Sequence, residues 1–234
     1  MKFFKRVSSA KLSTVNLPQL YVLNSVEDYA ISTKKLEEIN LKGHHDPQKN
    51  WDLYLSIYSS QFLDKKAKLL DAGSGSKAVY ANSMAELGFK NSYACDLQRA
   101  KGSKILSSIQ DIAKTNFDKD FFDFIACHSV IEHGVDLHDF LLEMYRITKP
   151  RGSLAISTDF WPEFEDHSSK YPYGNENPPM MLFNNESIGE FLEIAQEVGW
   201  KIPEFRDSSL PNPRPVYWPR MDAWFTFIWL LLVK

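Results

Sequence analysis

The stretch that most constrains this chain is Leu69-Leu70-Asp71-Ala72-Gly73-Ser74-Gly75-Ser76-Lys77. A short apolar run ends in an acid, a Gly-Ser-Gly follows, and a helical pattern begins at Ala78. Glycine lets the backbone come close to a ligand, and the free N–H groups of a helix N-terminus favour an anion. The same alternation continues downstream. Ala67–Asp71, Ser92–Asp96, a weaker Ile105–Asp111, Phe121–Cys127 and Ser153–Ser157 read as strands. Ala78–Leu87 reads as a helix closed by Gly88, and Asp136–Thr148 as one stopped by Pro150 and Gly152. Such alternation predicts an α/β fold, with an open, mostly parallel sheet covered by helices on both faces.

The flanks are less regular. Val26–Leu41 can hold one helix, and Asp46-Pro47 starts another, with Asp46 as cap and proline at the first helical position. The second carries Trp51, Tyr54, Leu55, Tyr58 and Phe62 at helical spacing, a stripe read as core packing. Residues 159–183 form a long aromatic loop rich in proline and polar residues, a length that usually marks function or disorder. Ile188–Val198 is a helix ending at Gly199, Trp200–Phe205 is read as a strand, and Ala223–Val233 closes the sheet after a proline-rich loop.

Composition removes several classes. The 234 residues suit one substantial core, and a net charge of −3 argues against nucleic acid as the main partner. Lys2, Lys5, Arg6 and Lys11 read as a solvated terminus. Cys95 and Cys127 lie in apolar runs without a CxxC neighbour, which predicts neither a zinc site nor a disulfide and fits a reducing, cytoplasmic setting. No secretory leader is evident, and the apolar tail Trp224–Val233 is far below the ~20 residues of a membrane span.

Three readings of the glycine loop compete. A Walker A loop needs four residues between its first glycine and Gly-Lys, and a dinucleotide fingerprint needs a third glycine; both are missing. Asp71 would also sit badly beside a pyrophosphate. An S-adenosylmethionine pocket tolerates acids, because an ionised carboxylate accepts from ribose hydroxyls. Here LLDAGSG (69–75), YACDL (93–97), QDI (110–112), FFDFIACHSVIEHGVD (121–136) and MYRITKPRGSLAIST (144–158) follow in order. Together with LFNNESIGEFLEIAQEVGW (182–200), they resemble the class I S-adenosylmethionine-dependent methyltransferases, in particular the small-molecule branch of methyltransferase type 11.

The resemblance implies a Rossmann-like, seven-stranded, mostly parallel sheet with an antiparallel last strand. It implies residues 66–234 as the cofactor-binding domain and residues 1–65 as a helical lid or extension. Asp71, Gly73, Ser74 and Gly75 would form the methionine-end turn, Asp96 would hold the ribose, Leu97 would lie against the adenine, and Asp111 and Ile112 would meet its edge. His128 would stand beside the sulfonium. Lys77 occupies the family's third-glycine position, where it either pairs with the cofactor carboxylate or faces solvent. Asp111 follows Asp96 by only 15 positions, so the intervening helix must be abbreviated. Some relatives bind a divalent metal through Glu-x-x-Glu-His; this chain has Ser129 at the first acid, before Glu132 and His133, so no required metal is expected.

Methyl transfer needs positioning and, for a protonated nucleophile, a base. His133 is the first candidate base and His128 the second. His44 and His45 precede the second helix, where they can line a lid. Asp159, at a strand's carboxyl edge, suits a substrate contact. Phe160, Trp161, Phe164, Tyr171, Tyr173 and Met181 suit an acceptor wall. The expected activity is metal-independent methylation of an O or N nucleophile of a small molecule, with a homodimer admitted as an assembly. The rivals are a non-catalytic S-adenosylmethionine-binding module, and methylation of a protein or lipid-linked acceptor docked by the basic N-terminus.

Overall fold

A computed structural model describes residues 17–102, 104–205 and 214–234. The basic residues at positions 2–11, and Pro211 and Pro213 of the proline-rich loop, lie outside that range. The described elements are β1 (Gln19–Val22), α1 (Val26–Glu38), α2 (Asn50–Ser60), β2 (Lys68–Ala72), α3 (Val79–Glu86), β3 (Asn91–Asp96) and β4 (Leu106–Ile109). They continue as β5 (Phe122–His128), α4 (Leu137–Ile147), β6 (Thr148–Phe160), α5 (Asn185–Val198), β7 (Val216–Trp218) and β8 (Ala223–Val233).

The strands make one sheet of order β1-β8-β6-β5-β2-β3-β4, with β7 also paired to β8. Strands β4, β3, β2, β5 and β6 are parallel; β8 runs antiparallel to β6, β1 and β7. The long apolar reading of β8 has its cause in burial on both faces, which removes the polar alternation of a half-solvated strand. Alternation within the inner strands divides the core. Leu70, Ile125, Ile156 and Leu230 face α4 and α5, whereas Leu69, Phe124, Ala155 and Trp229 face α1, α2 and α3.

Two expectations change at the edge of the sheet. Trp200–Phe205 forms no strand; Lys201 makes a single bridge to Val233, and Pro203, lacking an N–H, cannot continue a ladder. The remaining length of β8 is covered instead by β1, whose Gln19–Val22 pair with Ile228–Leu231. The N-terminal segment therefore supplies a strand to the same sheet as well as the two helices before β2.

The site lies where the connection order reverses, between β2 and β5, the usual ligand crevice of an open α/β sheet. Asp71, Asp96, His128 and Asp159 all fall at carboxyl ends of parallel strands.

Candidate active site

The glycine loop is folded back on β3: the N–H groups of Gly73 and Ser74 both donate to the Cys95 carbonyl, at 2.9 and 3.2 Å. Gly73 has φ +69°, and a Cβ there would stand 2.5 and 2.8 Å from the Val130 methyls. Glycine is thus required twice over, for torsion and for the close approach of the loops after β2 and β5. Gly75, at φ +57°, has open space around it and donates its N–H to Asp96 Oδ2 at 2.9 Å. The other Asp96 oxygen accepts from the Gln98 N–H at 3.1 Å, so this carboxylate ties the glycine loop to the end of β3. Asp71 accepts from the Ala81 N–H at 3.0 Å, at the start of α3. Burial pushes its carboxyl up to about 7, against the opposing pull of backbone N–H groups.

This loop lines a cavity of about 440 Å³, within the range of small-molecule sites. Asp71, Gly73, Ser74, Gly75, Lys77 and His128 meet there, opposite His44, His45, Lys49 and Asp52. Lys77 is exposed on the rim. A second cavity of about 240 Å³ adjoins the first and shares Asp46, Lys49, Ser129 and Tyr173 with it. Its lining adds Glu132, His133, Asp159, Trp218, Phe225 and Phe227.

Helix α2 positions the common wall through a polar stripe at helical spacing. Asp52 accepts from Ser157 at 2.6 Å, Ser56 bonds the His128 Nε2 at 2.7 Å and accepts from Trp229 at 2.9 Å, and Ser60 accepts from Tyr80 at 2.9 Å. Of the expected stripe only Trp51 is buried in the core; Tyr54 and Leu55 are partly buried against it, Phe62 is exposed, and Leu53 and Ile57 supply the rest of the buried apolar face. Just before the helix, Lys49 donates to the Ser129 hydroxyl, lies 3.7 Å from Asp159 and stands 3.9 Å from the Phe227 ring centroid. Glu132 accepts from Thr158 at 2.9 Å. Glu132 and Asp159 are buried and close in charge, and burial holds both carboxyls well above their usual range. His133 packs edge-on against Tyr173 at 5.1 Å, and burial lowers its pKa below 6.5, so its imidazole is neutral at pH 7. His128 is lowered by burial as well.

Several expected contacts take other places. Leu97 is 78% exposed, and neither it nor Asp96 lines the two cavities; Asp96 reaches the glycine loop through the Gly75 N–H. Asp111 caps a turn by accepting from the Ala113 N–H, and Ile112 is buried in the core under α4. Among the described residues between Asp96 and Asp111, β4 is present and no helix frames an adenine cleft. The aromatic insert is not the acceptor wall as a whole. Phe160 is fully buried, Trp161 stacks under the Arg214 guanidinium at 3.6 Å, and Phe164, Tyr171 and Met181 face outward. Of the six, only Tyr173 reaches these cavities; the β7–β8 hairpin supplies the rest of the wall with Trp218, Phe225 and Phe227. Sequence reasoning missed Lys49, Asp52, Ser56 and this hairpin. The Asp52, Ser56, Ser60 periodicity was the available signal for the first group. Among the described residues, one group brings metal-ligating side chains together, His44, His45 and Asp46 on the rim.

Residues 70–156 match the family model described as a methyltransferase domain, the span that holds the glycine loop, Asp96 and His133. Over that span the chain is similar to the methyltransferase-domain family. Solved structures show the same fold around it. A S-adenosylmethionine-dependent methyltransferase from Mesorhizobium loti aligns with a TM-score of 0.56 at 12% identity, covering 78% of this chain and 98% of its own. A phosphoethanolamine N-methyltransferase from Haemonchus contortus, in complex with S-adenosyl-L-methionine, aligns at 0.55 and 16% identity, covering 89% of this chain and 56% of its own. A [4+2]-cyclase, SpnF, aligns at 0.57 and 14% identity, covering 83% and 85%. No curated protein matches by sequence. An S-adenosylmethionine cofactor would find its ribose partner in the Asp96 carboxylate, whose oxygens can accept further hydrogen bonds beside those from Gly75 and Gln98, while the Gly73 and Ser74 N–H groups are committed to the Cys95 carbonyl. Among the described residues no helix is long and apolar enough to cross a membrane.

Proposed function

We infer that this protein transfers a methyl group from S-adenosylmethionine to an O or N nucleophile of a small molecule, without a required metal. The observation that carries the reading is the pair of contiguous cavities, one built on the glycine loop and one walled by aromatics, sharing Lys49, Ser129 and Tyr173. In-line displacement needs two ligands meeting at one point, and two adjoining chambers at the β2/β5 switch point supply that arrangement. Asp71, Gly73, Ser74, Gly75 and Asp96 hold the cofactor. His133, neutral at pH 7, takes a proton from the acceptor in the second chamber, where Asp159 and Tyr173 contact it. The sulfonium already activates the methyl carbon, so a Lewis acid adds little. The N-terminal helices, which bring Lys49 and Asp52 to the pocket, act as its cover.

Titration calorimetry with S-adenosylhomocysteine tests the first chamber. Turnover of S-adenosylmethionine with small hydroxyl and amine acceptors, with and without EDTA, tests the second. Tight homocysteine-product binding with no turnover on any acceptor would favour a binding module, and loss of rate in EDTA would remove metal independence.

A further inference from the structure

We propose that the second chamber recognises a protonated amine, so that the acceptor is a primary or secondary amine methylated on nitrogen; this rests on the methyltransferase reading above. Three carboxylates line the chamber, Asp46, Glu132 and Asp159, against two cations, Lys49 and Arg220. Asp46 and Arg220 lie on the exposed rim, whereas Glu132 and Asp159 are 1% and 4% exposed and have the single ammonium of Lys49 between them. Lys49 is 3.7 Å from Asp159, too far for a good hydrogen bond, and is committed to Ser129. The Oδ1 atom of Asp159 is buried without any hydrogen bond, an arrangement whose cost a donor from a ligand would remove.

The remaining lining is aromatic: Tyr173, Trp218, Phe225 and Phe227. Aromatic faces attract cations, and this wall already holds the Lys49 ammonium over Phe227. A buried carboxyl oxygen without a hydrogen bond, set beside aromatic rings, selects an ammonium: an anion has no donor for it, and a neutral hydroxyl can donate to it but gains no cation–π attraction from the rings. The same carboxylates suit the next step. Burial has raised both, so one of them, or His133, can take the ammonium proton near neutral pH. The freed nitrogen lone pair then forms the N–C bond to the sulfonium methyl, the C–S bond breaks with its electron pair going to sulfur, and the products are S-adenosylhomocysteine and the protonated N-methylamine.

The test uses the whole protein saturated with S-adenosylhomocysteine, and calorimetry with matched ethyl, benzyl and phenethyl amines, alcohols and carboxylic acids. The amine of at least one set should bind 10-fold or more tighter than its alcohol and acid. Asp159→Asn should remove at least 10-fold of that preference while leaving S-adenosylhomocysteine affinity unchanged; Glu132→Gln serves as the second variant if Asp159→Asn lowers the melting temperature. Alcohols or acids binding as well as amines, or no class binding to the saturated protein, would overturn the proposal. Failure of S-adenosylhomocysteine itself to bind would instead overturn the reading beneath it.

Discussion

The glycine loop offers a prediction in which two neighbouring glycines behave differently. Both have positive φ, +69° at Gly73 and +57° at Gly75. Alanine at either position incurs the left-handed penalty of roughly 1–2 kcal/mol. At Gly75 nothing else opposes it, because no atom lies within 4 Å of the added Cβ. At Gly73 the Cβ would stand 2.5 Å from one Val130 methyl and 2.8 Å from the other, well inside contact distance. Overpacking of that kind costs about 1–3 kcal/mol more. Gly73→Ala should therefore destabilise by about 2–5 kcal/mol, a large share of a typical domain stability of about 5–15 kcal/mol, and Gly75→Ala by about 1–2. The excess belongs to one pair, so a double-mutant cycle isolates it. Val130→Ala, combined with Gly73→Ala, should recover about 1–3 kcal/mol beyond additivity, and combined with Gly75→Ala should recover nothing. Urea unfolding of the five variants reads these differences. Equal costs for the two glycines, or a coupling energy of zero between positions 73 and 130, would refute the claim that the β2 and β5 loops are locked together at the switch point.

Other outcomes follow from single contacts. Asp96→Ala removes the acceptor of the Gly75 and Gln98 N–H groups and the ribose contact proposed for it, and should weaken S-adenosylhomocysteine binding by about 1.5–3 kcal/mol in calorimetry. His133→Ala should slow turnover about 100-fold or more with S-adenosylhomocysteine affinity preserved; full activity would return this histidine to a structural role. Ser56→Ala leaves His128 and the Trp229 N–H without their shared partner and should cost about 1–3 kcal/mol in urea unfolding, since the site is buried. Asp71, raised from 3.8 to about 7, binds its proton more tightly when folded than when unfolded. Its stabilising contribution is therefore complete below 3.8 and is lost as pH rises through about 7. Asp71→Asn should flatten that decline relative to wild type, and parallel curves for the two proteins would contradict the burial argument.

What was legible in the sequence was legible for local reasons. A strand that ends in Asp71 and turns through Gly73 and Gly75 into a helix states its own geometry, since the torsions are demanded within a few residues. Strand β8 declares itself by an apolar run too short for a membrane. The same locality explains the errors. Trp200–Phe205 has the composition of a strand, yet whether a segment pairs depends on who else competes for the edge, and β1, from the other end of the chain, takes it. Trp161 and Tyr171 have the composition of an acceptor wall, and side-chain type alone does not say which way a long loop turns them.

By itself, then, the sequence determined the α/β class, the glycine turn and the acids at the strand ends, because those follow from period, torsion and spacing along one stretch of chain. The second chamber was decided by tertiary structure. It joins Lys49 to Ser129 across 80 residues and sets both in one lining with Phe225 and Phe227 of the last strand, while Asp52 of the adjoining chamber reaches Ser157 across 105. Each of these residues has an ordinary local reading, a solvated lysine, a helix acid, a core phenylalanine. Only when the sheet order brings α2, the β5 turn, the end of β6 and the β7–β8 hairpin to one edge do they become a charged, aromatic cavity. Burial then gives them the chemistry that none of them has alone.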